Sequence, residues 1–397
     1  MNNRQIDARA RFLLRMLTSG LLLLLSSCSS LQAVRLLQGG SPASDPPGPV
    51  QIPLRRMGYH YGITPVRVNT LQTPYLFLFD SGAHNALAWP TAAAARFKPE
   101  VTVDARDSNN RSQPIAIGKL AGLHFGSITL LNTAAVQMDL QPMAGMVGGR
   151  WDGIIGSNSL QFFSTEIDLN AGLLILNPAD LGGPFVLQTE LHTNLMTAWR
   201  PGFTITRGSD SYDFIIDTGA YLSLLDYATF RSHCQAGSLS AVDSLGSISG
   251  FSKTHKELYF CRLNWNPLDP AANTGLPVYL RKDNGENLLG LTALINYRVA
   301  IDFPQGRLLV RTAAKTWTWH YAGFTVFLSK GAIKVHKINQ NCAAWNHGLR
   351  TEMPLLQLAN TRLHTADMQS VVKTLENPLV HRLVTRLPNG TLQSMDY

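Results

Sequence analysis

Phe77-Leu78-Phe79-Asp80-Ser81-Gly82-Ala83 and Phe214-Ile215-Ile216-Asp217-Thr218-Gly219-Ala220 follow one pattern: an apolar, strand-like run ending in an aspartate, a hydroxyl residue, a glycine and an alanine. One Asp-Ser-Gly alone reads as a turn or a helix cap. Two set up alike read as a pair of carboxylates. Held within hydrogen-bond distance, two such groups cannot both ionise cheaply, so the pair keeps one proton, one member acting as acid and the other as base. A water between them is then deprotonated while the carbonyl oxygen of a bound amide is protonated. That chemistry needs no covalent intermediate and no cofactor, and no Cys or His spacing in the chain matches a metal site.

The elements that must position the pair recur as well. Gly153-Ile154-Ile155-Gly156 is echoed by Asn287-Leu288-Leu289-Gly290, and Ile167-Asp168 by Ile301-Asp302. The aspartates lie 137 residues apart and the two later markers 134 each, so a unit of about that length is duplicated. Asp168 and Asp302 follow the glycine marker in both copies and read as strand-end or turn residues outside the site. Short apolar strands with turn signals run through both copies, as in Tyr75 to Phe79 and Gly172 to Leu176, which predicts a mostly β fold. Gly82 and Gly219 permit a tight turn that brings backbone N–H groups to the carboxylates, where a side chain would obstruct the approach.

Over residues 56 to 312 this doubled strand-Asp-Ser/Thr-Gly signature, each copy followed by an apolar-apolar-Gly strand, resembles the pepsin-like and retropepsin-like aspartic peptidases. The resemblance implies a bilobal fold, with lobes over 56–183 and 184–315, and an endopeptidase whose catalytic pair is Asp80 and Asp217. It implies that Ser81 and Thr218 interlock the two loops across the lobe interface and that Gly82 and Gly219 support the site. Both lobes being in one chain favours a monomer acting on protein or peptide substrates. Ala83 and Ala220 stand where many pepsin-like enzymes have serine, which follows the retroviral pattern and predicts less acidic operation. Flap candidates are Gly246 to Phe251 and the polar stretch Asp107 to Ser112; neither carries the flap tyrosine of pepsins. The competing function is a catalytically inactive lipoprotein scaffold that holds peptides in the same cleft.

The N-terminus sets the location. Arg4, Arg9, Arg11 and Arg15 precede an apolar run from about Met16 to Leu25, a secretory signal too short to span a membrane. Leu25-Ser26-Ser27-Cys28 resembles the bacterial lipoprotein cleavage box, which implies removal of residues 1–27 and lipid attachment at Cys28. An ordinary signal peptide cut nearby is the alternative. Ser29 after the cysteine favours the outer membrane, with the body facing the periplasm. Four arginines and Asp7 lie in the signal, so the net charge falls from +8 to +5 on its removal. No basic cluster interleaved with aromatics remains to suit nucleic acid. Residues 28–55, rich in Ser, Gly and Pro, read as a flexible tether. In an oxidising compartment Cys234 and Cys261 either form a disulfide or stay two buried thiols.

Residues 316–397 belong to neither copy, and their strand and small-helix pattern fits a small α+β unit. Ala343-Ala344-Trp345-Asn346-His347-Gly348-Leu349 followed by Leu355 to Asn360 resembles PDZ domains, although Glu352-Met353 replaces their usual Gly-Asp. The resemblance implies that Tyr321-Ala322-Gly323-Phe324, with Gly323 and Phe324 at its end, receives a peptide C-terminal carboxylate on backbone N–H groups, the peptide adding as a strand. Eight Lys and Arg against four Asp and Glu suit an anionic terminus. A packing unit that binds nothing is the alternative. Since both aspartates precede it, the hydrolytic step is expected to need nothing after about residue 315.

Overall fold

The computed structural model describes residues 29–45, 48–106, 112–193, 199–244, 247–249, 252–254, 257–273, 275–283, 285–317, 320–363 and 367–397. The described chain is mostly β, as expected. Strands that bury one face alternate along the sequence: in Val50–Met57 the even-numbered residues Val50, Ile52 and Leu54 are buried while Gln51, Pro53 and Arg55 face out. Leu276–Arg281 is buried on both faces, and its run of apolar residues has no alternation to show.

Six antiparallel strands join the two copies of the repeat. In hydrogen-bonded order they are Val50–Met57, Leu173–Leu176, Ser164–Asp168, Tyr297–Asp302, Arg307–Thr312 and Leu187–Glu190. The duplicated Ile-Asp markers end the two central strands, which run past each other with Ser164 opposite Asp302 and Asp168 opposite Arg298. Their charges are structural: Glu166, wholly buried, is held by Arg298 and Arg311, and Asp302 by Arg307 at 2.9 Å. One hydrophobic core runs through both copies and includes Phe77, Phe79, Phe163, Phe203, Phe214 and Trp265.

The reading of residues 28–55 as a flexible tether is corrected. Residues 29–38 are helical, and Ala33, Leu36 and Leu37 bury themselves against Leu78, Ala86 and Val136. Their i, i+3, i+4 spacing gives one apolar stripe, and the sheet supplies the surface that covers it. Ser41–Pro42 then pairs with Leu130 and Leu131, and Val50–Met57 is part of the six-stranded junction.

The C-terminal unit has its own core, from Val326, Val335, Leu355, Val372 and Leu383, into which Tyr59 from the first copy also packs. It is not a separate bead. Its strand Ala332–Asn339 pairs with Ser240–Ser244 of the second copy, so one sheet runs across both. No described helix is long and apolar enough to cross a membrane.

Candidate active site

Each aspartate sits at the C-terminal end of a strand paired in parallel with its glycine marker. Tyr75–Asp80 lies beside Gly153–Gly156 with Asp80 opposite Gly156, and Asp210–Ile216 beside Leu288–Leu289, where Asp217 N–H donates to the Leu289 carbonyl at 3.0 Å. The marker glycines have a packing reason. A Cβ on Gly156 would strike the Ala83–Asn85 backbone, and one on Gly290 would stand 2.8 Å from the Ala220 carbonyl oxygen. Only a bare backbone lets each loop settle against its marker.

The structure brings Asp80 and Asp217 together: their side chains hydrogen-bond each other, and both are partly exposed. Around them the two loops are interlocked. Ser81 N–H donates to Thr218 Oγ1 at 2.9 Å and Thr218 N–H to Ser81 Oγ at 3.2 Å. The hydroxyls donate onward, Ser81 to the Ile216 carbonyl at 2.7 Å and Thr218 to the Phe79 carbonyl at 3.0 Å. All of this is fully buried, so each bond replaces water that cannot reach these groups.

Gly82 and Gly219 lie in the tight turns expected of them, closed by Ala83 N–H to the Asp80 carbonyl at 3.3 Å and Ala220 N–H to the Asp217 carbonyl at 3.2 Å. Neither adopts a left-handed backbone. Instead each packs on the opposite carboxyl: a Cβ on Gly82 would stand 2.7 Å from Asp217 Cγ, and one on Gly219 2.7 Å from Asp80 Oδ1. Their N–H groups also serve their own aspartates, Gly82 donating to Asp80 Oδ1 at 3.0 Å and Gly219 to Asp217 Oδ1 at 2.9 Å.

The electrostatics are asymmetric. Burial raises both carboxyls above the usual range, and for Asp80 the adjacent Asp217 charge pushes further, to well above it. Against its burial, Asp217 has the Gly219 and Ala220 N–H groups, the second at 3.1 Å, and the field of Arg200, all favouring its charged form. Asp80 has the matching Gly82 and Ala83 N–H groups, and the pair titrates as one unit that keeps a single proton.

No protein-family model and no curated protein matches this chain. Among solved structures the chain is similar to the crystal structure of basic 7S globulin from soybean, at a TM-score of 0.40 and 12% identity, over 68% of this chain and 96% of that one. A likeness that weak carries neither fold nor function, and the site stands on its own geometry.

The other sequence-predicted residues lie apart from the pair. Cys234 and Cys261 are joined by a disulfide in the second copy, and Cys342 is a free thiol. Cys28 lies outside the described residues. So do Gly246, Gly250 and Phe251 of one flap candidate, whose strands Ser247–Ser249 and Ser252–Thr254 pair as a hairpin. Residues 107–111 of the other candidate are outside as well; Arg106 and Ser112, which flank them, pair with each other. Gly323 and Phe324 are buried rather than presented to solvent. Tyr321 beside them stacks on Phe260, with ring centres 5.1 Å apart, and its hydroxyl meets that of Tyr279 at 2.9 Å. Capture of a peptide carboxylate on this loop requires that packing to open.

Four residues near the pair escape sequence reasoning. His60 is hydrogen-bonded to the Gly219 backbone, and burial together with the nearby Arg56 charge pushes it down to about 4, so its ring is neutral. Tyr221, immediately after the second motif, donates to Glu376 Oε1 at 2.9 Å, and Arg56 pairs with the same oxygen at 2.6 Å. Tyr221 and Glu376 are 155 positions apart, and no periodicity or spacing in the sequence links them.

Proposed function

We propose that the protein is an aspartic-type endopeptidase, built as two related lobes over about residues 56–315 with a PDZ-like C-terminal unit. One observation carries this reading: two carboxyls in hydrogen-bonded contact, each packed on a glycine of the other's loop and locked by reciprocal Ser81 and Thr218 bonds. A structural ion pair or turn has no need of two like charges in contact, because their repulsion destabilises the fold unless a proton is kept.

In this reading Asp80 holds the proton and Asp217 the charge. A water between them adds to the carbonyl carbon of a bound peptide; Asp217 takes a water proton while Asp80 gives its own to the carbonyl oxygen. As the tetrahedral diol collapses, the C–N bond breaks, the leaving nitrogen takes the proton now on Asp217, and one diol hydroxyl gives its proton to Asp80 as it becomes the product carbonyl, so the pair again holds one proton. The substrates are proteins or peptides, and no cofactor enters. We propose anchoring in the bacterial envelope through a lipid on Cys28, supported by the arginine-rich leader and Leu25-Ser26-Ser27-Cys28.

The test is the lipid-free protein, residues 29 onward, with a mixed peptide library from acid to mildly basic pH, with and without a statine-type inhibitor. Asp80→Asn and Asp217→Asn should each lower kcat by about 10^4-fold with the fold retained, since acid–base catalysis contributes up to about that much. Cleavage near the parent rate by either variant refutes the reading. Peptide binding without cleavage by the parent favours the inactive scaffold.

A further inference from the structure

We infer that Glu376, in the C-terminal unit, is a positioning residue for the Asp217 loop and acts on it through Tyr221. Glu376 follows the helix Met368–Leu375 and is only 3% exposed. Its Oε1 accepts from the Tyr221 hydroxyl at 2.9 Å and from Arg56 Nη2 at 2.6 Å. Tyr221 is the next residue after Ala220, whose N–H supports Asp217 Oδ1 at 3.1 Å. From the other side the loop is held by its glycine marker, as Leu291 N–H donates to the Ala220 carbonyl at 2.9 Å and Thr292 N–H to that of Tyr221 at 3.1 Å. The loop carrying Asp217 is therefore gripped between the second copy and the C-terminal unit.

Tyr59, Arg56 and a strand pairing keep that grip in place. The Tyr59 ring packs 4.4 Å from the Tyr221 ring, and the Tyr59 hydroxyl accepts from Val326 N–H of the C-terminal unit at 2.9 Å. Arg56, on the strand Val50–Met57, fixes the carboxylate so that it cannot swing away from Tyr221. The pairing of Ser240–Ser244 with Ala332–Asn339 holds the unit against the second copy. A charged acceptor bonds a hydroxyl more strongly than a neutral one, and in a buried site no water substitutes for it. Misplacing a reacting group by a fraction of an ångström lowers rate without changing how the rest of the substrate binds. On this proposal the duplicated halves alone do not complete the site, and deletion of the C-terminal unit, expected from the sequence to spare the hydrolytic step, would slow it.

The effect on rate rests on the peptidase reading; the positioning itself does not, and the experiment separates them. In the lipid-free protein, hydrogen exchange across residues 217–222 is measured for the parent, Tyr221→Phe, Glu376→Gln and Glu376→Ala, alongside kcat and KM on a short unstructured peptide. Tyr221→Phe leaves the Arg56 pair with Glu376 intact, so it tests the link without orphaning a buried charge. It should speed exchange at the 219–221 amides by about tenfold or more and lower kcat by about tenfold with KM within about twofold. Glu376→Ala should do at least as much, and Glu376→Gln, which keeps an acceptor, should recover part of the loss. Folded Tyr221→Phe with parent-like exchange in this segment overturns the proposal. If the parent cleaves nothing, the peptidase reading falls and the exchange data still decide whether Glu376 positions the loop.

Discussion

Thr218→Val isolates the interlock between the two aspartate loops. Valine keeps the branched shape and most of the volume of threonine but has no hydroxyl. It leaves the Ser81 N–H without its acceptor at 2.9 Å and the Phe79 carbonyl without its donor at 3.0 Å, both where water cannot enter. An orphaned buried polar group costs about 1–3 kcal/mol, so the pair predicts a loss of about 2–6 kcal/mol. Thr218→Ser retains the hydroxyl and should stay within about 1 kcal/mol of the parent. The assay is urea denaturation followed by tryptophan fluorescence, since Trp151 and Trp265 are buried one in each copy of the repeat; a shift in midpoint at constant slope reads stability alone. A cycle with Ser81→Ala adds a second check, because residues sharing one hydrogen-bond network couple by about 0.5–3 kcal/mol. Thr218→Val within about 0.5 kcal/mol of the parent, or strict additivity with Ser81→Ala, would show that the loops are not held together by these bonds.

Gly219→Ala should disrupt the pair sterically, because its Cβ would stand 2.7 Å from Asp80 Oδ1; kcat should fall about 100-fold or more, a change of roughly 2.7 kcal/mol in barrier, with secondary structure by circular dichroism unchanged. His60 makes stability pH-dependent. Its folded value is depressed, so the unfolded chain binds the extra proton first, and stability should be lost as pH falls from 6.5 toward about 4, by roughly 3 kcal/mol at 1.36 kcal/mol per unit; His60→Gln should flatten that window, and an unchanged acid limb in denaturation would count against it. Replacing Cys234 and Cys261 together with serine should lower stability by about 3–4 kcal/mol, the loop-closure estimate for their separation of 27 residues, measured against the parent under non-reducing conditions.

The chemistry-bearing residues were legible because a short motif carries its own logic. An aspartate at a strand end, followed by a hydroxyl residue and glycine, states a function for each atom, and its repetition with the glycine markers at nearly one lag states that two such loops must meet. Mostly β structure followed from the same short apolar runs. The stripe of Ala33, Leu36 and Leu37 was present in the sequence too, but Gly, Ser and Pro just after it suggested a tether, and a stripe forms a stable helix only where a surface exists to cover it.

What tertiary structure alone decided is where distant faces meet. Gly82 and Gly219 are required by the opposite carboxyl, a neighbour that no local pattern around either glycine contains. The predicted carboxylate-binding loop is buried, Phe324 in the core of the C-terminal unit against Tyr397 and Gly323 against Cys342, and Glu376 reaches Tyr221 because the sheet runs on from Ser240–Ser244 into Ala332–Asn339. Side-chain type and spacing record what a residue can do within a turn or two of backbone. Which partner it finds across 100 residues or more depends on how whole sheets pack, and that is set by the sum of many small buried areas rather than by any one motif.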